Sequence, residues 1–448
     1  MKILIRGGRV IDPAQAHDDR ADLLIERGEI VAIDQNIETD DARTVDAEGL
    51  VVAPGLVDMH VHFREPGFEY KEDVASGSRA AARGGFTTVA CMPNTDPVLD
   101  NEALVARIVR LGNDAGLCRV HPIAAITKGQ QGKDLTEMKA LQDAGAVGFS
   151  DDGVPVESSR VMRRALEYAQ ITGLVIISHS EERSLSAGGH MHEGAVSTRL
   201  GINGIPAASE DVAVARDVRL AEITGGRLHV CHVSSARSVE IIREAKDRGV
   251  RVTAEGTPHH FTLTHDAVAG FDANTKMNPP LRSEKDRQAV LEGVADGTLD
   301  AIATDHAPHA ALEKLVEFAE APFGIIGLET SLALSVTTLG GAGVSLSTML
   351  ERMTSAPARI LGLEAGTLRP GAPADIVVFD PETRWKFTAQ DIGSKSSNSP
   401  FLGTELTGRV LLTLLAGRAT FESHALRERL TAPAAGGAKT PALQTGAR

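Results

Sequence analysis

Between residue 55 and about residue 305, short β-branched apolar runs alternate eight times with Ala-, Arg- and Glu-rich segments. The runs at 57–62, 87–92, 120–126, 147–150, 174–179, 228–232, 251–255 and 301–305 read as strands. The clearest helices between them are 75–83, 135–144, 159–172, 209–223, 236–248 and 284–295. Eight strand–helix units are what a (β/α)8 TIM barrel needs to close. Before residue 55, KILIRGGRVID, ADLLIERGEIVAI and ARTVDAEGLVVAPG alternate apolar and polar residues. They predict short antiparallel strands, with Gly7-Gly8 and Arg27-Gly28 as turns. After about 365, GTLRPGAPADIVVFDPE and LTGRVLLTLLAGRATF bring this character back. The expected class is therefore α/β: a TIM barrel plus a small composite β-sandwich built from both chain ends. The expected division is 1–54 and 366–424 for the sandwich, 55–365 for the barrel, and a disordered tail over 425–448 that is rich in Ala, Gly, Thr and Pro.

Apolar residues make up 42% of the 448, but aromatics only 3%, so the core must be aliphatic. A net charge of −14 argues against nucleic acid and anionic membranes as partners. An anionic substrate would need local cations or metal to hold it. Cys91, Cys118 and Cys231 are too few and too scattered for a disulfide framework or a Cys-rich metal site. MKILIRGGRVIDP lacks a signal-type apolar stretch, and no run is long enough to span a bilayer. The expectation is a reduced, cytoplasmic protein.

The chemistry concentrates at the strand ends. Asp58-Met59-His60-Val61-His62-Phe63-Arg64 places two histidines on one side of an extended segment, where one cation can reach both imidazoles. Arg64 has the same parity and offers a fork for a carboxylate. Further ligand types close other apolar runs: Asp151-Asp152, His179, His232 and Asp305. In a barrel, all these ends open on one face. Alone, His-x-His is a weak motif, Asp152 could cap a helix, and a strand histidine such as His229 is usually a satisfied polar residue. Together, four histidines and two aspartates exceed the needs of one tetrahedral ion and suit two metals sharing a carboxylate. The neighbours His259-His260, read as strand residues, face opposite ways and are packing or supporting groups.

DMHVHFREPG, MPNT at 92–95, SDDG at 150–153, ISHSEE at 177–182, VCHVSS at 230–235, NPPLR at 278–282 and ATDHAPH at 303–309 together resemble the amidohydrolase superfamily. Within it, the chain is similar to the long, class I type of bacterial dihydroorotase over roughly residues 1–424. That resemblance implies a zinc-dependent enzyme. Such enzymes reversibly close N-carbamoyl-L-aspartate to L-dihydroorotate in de novo pyrimidine (UMP) biosynthesis. It implies two zinc ions: one held by His60 and His62 with Asp305 near, the other by His179 and His232, bridged by Asp152. Asp151 stays open as the alternative bridge. Many relatives carry a carboxylated lysine there, and no lysine stands at this strand end. The resemblance further implies Asp305 as general acid and base. Arg64, Asn94 and His309 would contact the substrate carboxylate, and Asn278 and the backbone of Phe323-Gly324 the ring edge. A homodimer and an association with aspartate transcarbamoylase are its implied partners. Competing readings are another cyclic amidase (a hydantoinase or allantoinase) and a silent scaffold for aspartate transcarbamoylase. FREPG favours a carboxylated substrate over the first, and the intact ligand set disfavours the second.

Overall fold

The computed structural model describes residues 2–426. Leu56–Val61, Phe86–Cys91 and Arg119–Pro122 form one parallel set. Gly148–Ser150, Val175–Ser178, Leu228–Val230, Val252–Gly256 and Ala301–Ile302 form a second. Parallel bridges Ala124–Phe149 and Val61–His306 join the sets at both seams and close the ring. All eight expected strands are present. Several stop short of the expected end, because the backbone leaves the ladder where the ligand-type residues begin. The six expected helices appear as Val74–Arg83, Met138–Asp143, Ser159–Thr172, Ala208–Thr224, Ala236–Asp247 and Glu284–Asp296. Glu102–Ala115 is a further one, capped by Asn101, whose side chain accepts from Leu104 N.

Met59, Ala90, Ile123, Ile177, Cys231 and Ala303 pack as one cluster beneath the mouth. A larger cluster fills the space between strands and helices. Each buried Val, Leu or Ile contributes ~1.5–3 kcal/mol of transfer free energy. An aliphatic core therefore needs few aromatics to hold a barrel of this size.

The end segments form one eight-stranded sheet. Arg418–Glu422, Glu405–Leu415, Ile376–Lys386, Val51–Pro54, Lys2–Asp12, His17–Glu26 and Glu29–Asp34 run side by side, and Ala42–Asp46 also pairs with Lys2–Asp12. Two expectations need correction. Gly7-Gly8 is a bulge inside one continuous strand, because the register shifts between Ile5 and Gly8. Gly7 takes φ +71°, and a Cβ on Gly8 would sit 2.7 Å from Val52 Cγ2, so the close approach excludes a side chain. The N-terminal strands are also not all antiparallel: Ala42–Asp46 and Val51–Pro54 both run parallel to Lys2–Asp12. Arg27-Gly28 is the expected two-residue turn, with φ of 55° and 88°. Leu426 is buried in the sheet's core. The rest of the expected tail lies outside the described residues.

Candidate metal centre

The chain turns sharply where each barrel strand ends. Arg64, His232 and Asp305 adopt φ of 61°, 31° and 48°, left-handed values that a non-glycine side chain holds only when its surroundings impose them. Side chains from five strands and the turns that follow them meet over the barrel axis. His60, His62, Asp152, His179, His232 and Asp305 meet there, none more than 7% exposed. Two groups of histidine and carboxylate ligand atoms form: His60, His62 and Asp305, and Asp152, His179 and His232; a third joins His60 and Asp152 to the thiol of Cys231, whose pKa burial pushes up.

The spacings test whether cations fit. A tetrahedral site with bonds of ~2.0–2.2 Å places neighbouring ligand atoms about 3.3–3.6 Å apart. His62 Nε2 lies 3.2 Å from Asp305 Oδ1 and 3.4 Å from Asp152 Oδ2. His60 Nε2 lies 3.5 Å from both Asp305 Oδ1 and Asp152 Oδ1. His179 Nδ1 lies 3.5 Å, and His232 Nε2 3.8 Å, from Asp152 Oδ1. The two rings approach to 2.9 Å. His60 Nε2 and Asp152 Oδ1 are buried without a hydrogen-bond partner among the described residues. Buried polar atoms are rarely left so. Orphaned donor atoms at ligand spacing are what a metal site looks like without its ion, and both positions fit a divalent cation.

The two adjacent aspartates separate cleanly. Asp151 accepts from Ile126 N at 2.8 Å, from Thr127 N at 3.1 Å and from the Thr127 hydroxyl, which uses its carboxylate to fix a loop. Asp152 alone reaches both ligand groups. Burial opposes its ionisation, but the charge of His60 and the close approach of His179 and His232 outweigh it and hold its carboxyl well below the usual range. Asp305 is depressed in the same way: burial works against it, and His60 and His62 prevail.

Other groups orient these rings; Glu255 and Glu181 escaped notice in the sequence, and Asn94 was expected there only as a substrate contact. His60 Nδ1 donates to Glu255 Oε1 at 2.6 Å. His62 Nδ1 donates to Asn94 Oδ1 at 2.9 Å. His179 Nε2 donates to Glu181 Oε2 at 3.1 Å. A carboxylate only accepts, so Glu255 and Glu181 each hold a proton on the outer nitrogen and leave the inward nitrogen to face the centre, where a metal would take its lone pair. Glu181 is the fifth residue of ISHSEE and Glu255 lies in the seventh barrel strand. Their signal is a carboxylate at a strand end, visible but indistinguishable there from a surface charge.

The expected substrate contacts ring the same mouth. Arg64 donates from Nε to Pro308 O at 3.2 Å. Asn94 is committed to His62 through its oxygen, leaving its amide nitrogen to donate. Asn278 donates to Glu181 at 3.2 Å, leaving its amide oxygen. His309 is occupied on both sides: Nε2 donates to Phe323 O at 2.8 Å, and Nδ1 faces Lys71 Nζ at 3.4 Å. Burial and the charges of Arg64 and Lys71 push its pKa down to about 2, so the ring is neutral. Gly324 N donates to Lys276 O and Gly324 O accepts from Asn398, so that residue's backbone is already bonded. Phe323 O keeps a second lone pair. The segment after the last strand is tied down by Lys314, whose Nζ donates to Ala273 O, Lys276 O and Pro322 O.

Two expectations about other histidines resolve. His229 is satisfied, between Thr253 Oγ1 at 2.9 Å and Glu255 Oε2 at 3.0 Å. His259 and His260 lie on a short helix, Pro258–Thr262, rather than a strand, because Pro258 starts a helical turn. His260 is held by Thr257 and Pro279 O.

Comparison with known proteins agrees with this geometry. A family model described as dihydro-orotase-like matches residues 49–238, and an amidohydrolase family model matches 288–421. A protein of Syntrophus aciditrophicus named dihydroorotase is 54% identical over 94% of this chain and 100% of its own length. One of the same name from Pelotomaculum thermopropionicum is 54% identical over 95% of this chain and 100% of its own. Among solved structures, an L-hydantoinase (dihydropyrimidinase) from Arthrobacter aurescens superposes with a TM-score of 0.84 at 27% identity, covering 94% of this chain and 96% of that one. The chain belongs to the dihydroorotase family of the amidohydrolases.

Proposed function

We propose that this centre closes N-carbamoyl-L-aspartate to L-dihydroorotate with loss of water, and reopens it, as a step of pyrimidine biosynthesis. The observation that carries this is one mouth where two groups of ligand atoms share Asp152 and stand beside the Arg64 fork. Two zinc ions are the proposed cofactors, with His60, His62 and Asp305 around one, His179 and His232 around the other, and Asp152 common to both. When bound, such ions acidify water and polarise an amide carbonyl.

The chain's own residues do the rest. Asp305, kept ionised, accepts a proton at its carboxylate during hydrolysis and returns it to the leaving ring nitrogen. In the synthetic direction the same carboxylate removes the amide proton. Arg64 holds the substrate's free carboxylate bidentately. Asn94 adds a donor through its remaining amide hydrogens, and His309 steadies the Arg64 side of the pocket. Asn278, through its free oxygen, and Phe323 O accept from ring N–H groups, and Gly324 shapes the wall beside them.

The test is metal stoichiometry alongside turnover of dihydroorotate, hydantoin and allantoin. Activity on dihydroorotate that disappears on exhaustive chelation is expected. Undiminished turnover without metal overturns the reading, as does a preference for hydantoin, which lacks a carboxylate for Arg64. A metal-loaded but silent chain points instead to a scaffold.

We further infer a barrel of residues 55–365 set into a sheet module of 1–54 and 366–424. The proposed setting is a homodimer in the cytoplasm that can associate with aspartate transcarbamoylase. No helix among the described residues is long and apolar enough to cross a membrane. Sedimentation alone and with that partner tests the assembly.

A further inference from the structure

Glu255 stands on Val252–Gly256, beside the strand that delivers His232, and is fully buried. Three donors converge on its carboxylate from two other strands. His60 Nδ1 reaches Oε1 at 2.6 Å, and His232 N reaches the same oxygen at 3.2 Å. His229 Nε2 takes Oε2 at 3.0 Å, and its far nitrogen rests on Thr253 Oγ1 at 2.9 Å. The in-register pair His229–Thr253 sets this arrangement from behind. One carboxylate thus touches a ligand ring from one group of the centre and the backbone of a ligand from the other.

We propose that Glu255 is the positioning residue that couples the two metal positions. It fixes the tautomer and tilt of His60, anchors the strained turn at His232, and is itself aimed by His229. This rests on the two-metal reading above. The physical reason is twofold. A histidine whose outer N–H is held by a carboxylate presents a better-directed and more basic inner nitrogen. The outer nitrogen of His232 has no such partner: Nδ1 is buried without a hydrogen bond among the described residues. Its aim therefore depends on the backbone, and the backbone depends on Glu255.

Glu255→Gln keeps the shape but removes the charge. A neutral amide accepts more weakly from His60, and its NH2 group confronts His229 Nε2. Cobalt affinity, measured by chelator competition, is expected to fall by about 10–100-fold, the usual effect of losing such a partner. The visible cobalt band should change intensity at both positions, and kcat at metal saturation should fall while KM stays. Glu255→Asp keeps the charge and should recover part of the affinity; it also decides the matter if the Gln variant does not fold. Thermal midpoints of the metal-free variants separate general destabilisation from lost metal binding. A folded variant that binds cobalt with wild-type affinity and band overturns the role of Glu255. Wild-type protein that binds no metal overturns the metal reading itself, and this role with it.

Discussion

The two halves of the centre are built differently. In the first, His60 and His62 ride on one strand and its immediate end. Both outer nitrogens are held, by Glu255 and Asn94. Backbone bonds fix the segment as well, with His60 N donating to Asp58 and His62 N to His306 O. In the second, His179 and His232 come from separate strands. Only His179 has its outer nitrogen held, by Glu181, which is shared with Asn278 near the pocket rim. The contrast teaches that similar ligand atoms can have unequal support. The first position is pre-organised, and the second depends on groups shared with the pocket rim.

The largest expected effect comes from breaking the better-supported half. His62→Ala should lower metal content, measured by elemental analysis, and abolish turnover, because Asp305 and Asp152 both lose their nearest imidazole. Retained activity there would erase the ranking of the two halves. Asp305→Asn should lower kcat by ~10²–10⁴-fold, the range for losing a general acid–base group, with little change in KM. Full activity in that variant removes Asp305 from proton transfer. Glu181→Gln should weaken only the second position, by about 10–100-fold in metal affinity, so that limiting chelator leaves one ion per chain. Equal loss from both positions would contradict the asymmetry. Arg64→Ala should act mainly on KM for the carboxylated substrate, since a charged hydrogen bond contributes ~1.5–3 kcal/mol, and leave metal content unchanged.

The same asymmetry explains what was legible in the sequence. His60 and His62 are two residues apart on a strand, so periodicity alone places them together. His179, His232 and Asp305 could be placed only because barrel topology brings strand ends to one face. The eight strands and the sheet from both termini were legible because short apolar runs are bounded by turn residues. The bulge at Gly7-Gly8 was not, because a Gly pair serves a turn and a bulge equally well. Glu255 and Glu181 stayed hidden for a related reason. Nothing local distinguishes a carboxylate aimed at a histidine on another strand from one facing water. Choosing between Asp151 and Asp152 likewise needed the fold, since only the fold shows which one the Thr127 turn consumes.

The smallest effect follows from titrating the metal-free chain, where a proton can sit between His179 and its carboxylates. Burial lowers the pKa of His179, but Asp152 and Glu181 outweigh it and push it up to about 10 from an ordinary 6.5. Burial raises Glu181, yet its bond and charge contact with His179 bring it down to about 2 from 4.5. A histidine raised by folding contributes stability that is complete below 6.5 and lost as pH climbs toward about 10. A carboxylate depressed by folding contributes stability that is present above 4.5 and lost as pH falls toward about 2. The pair therefore supports the metal-free chain best between those two ordinary values. Metal binding replaces the proton on the inner nitrogen of His179, so the alkaline loss should vanish in the loaded protein. Thermal midpoints across pH, with and without chelator, measure this directly. In Glu181→Gln, His179 loses one of the partners that raise it, so the alkaline decline of the metal-free chain should begin at lower pH. If the metal-free wild type is as stable at about pH 9 as at about pH 6, no proton is held between His179 and its carboxylates. The second half would then owe its geometry to packing alone.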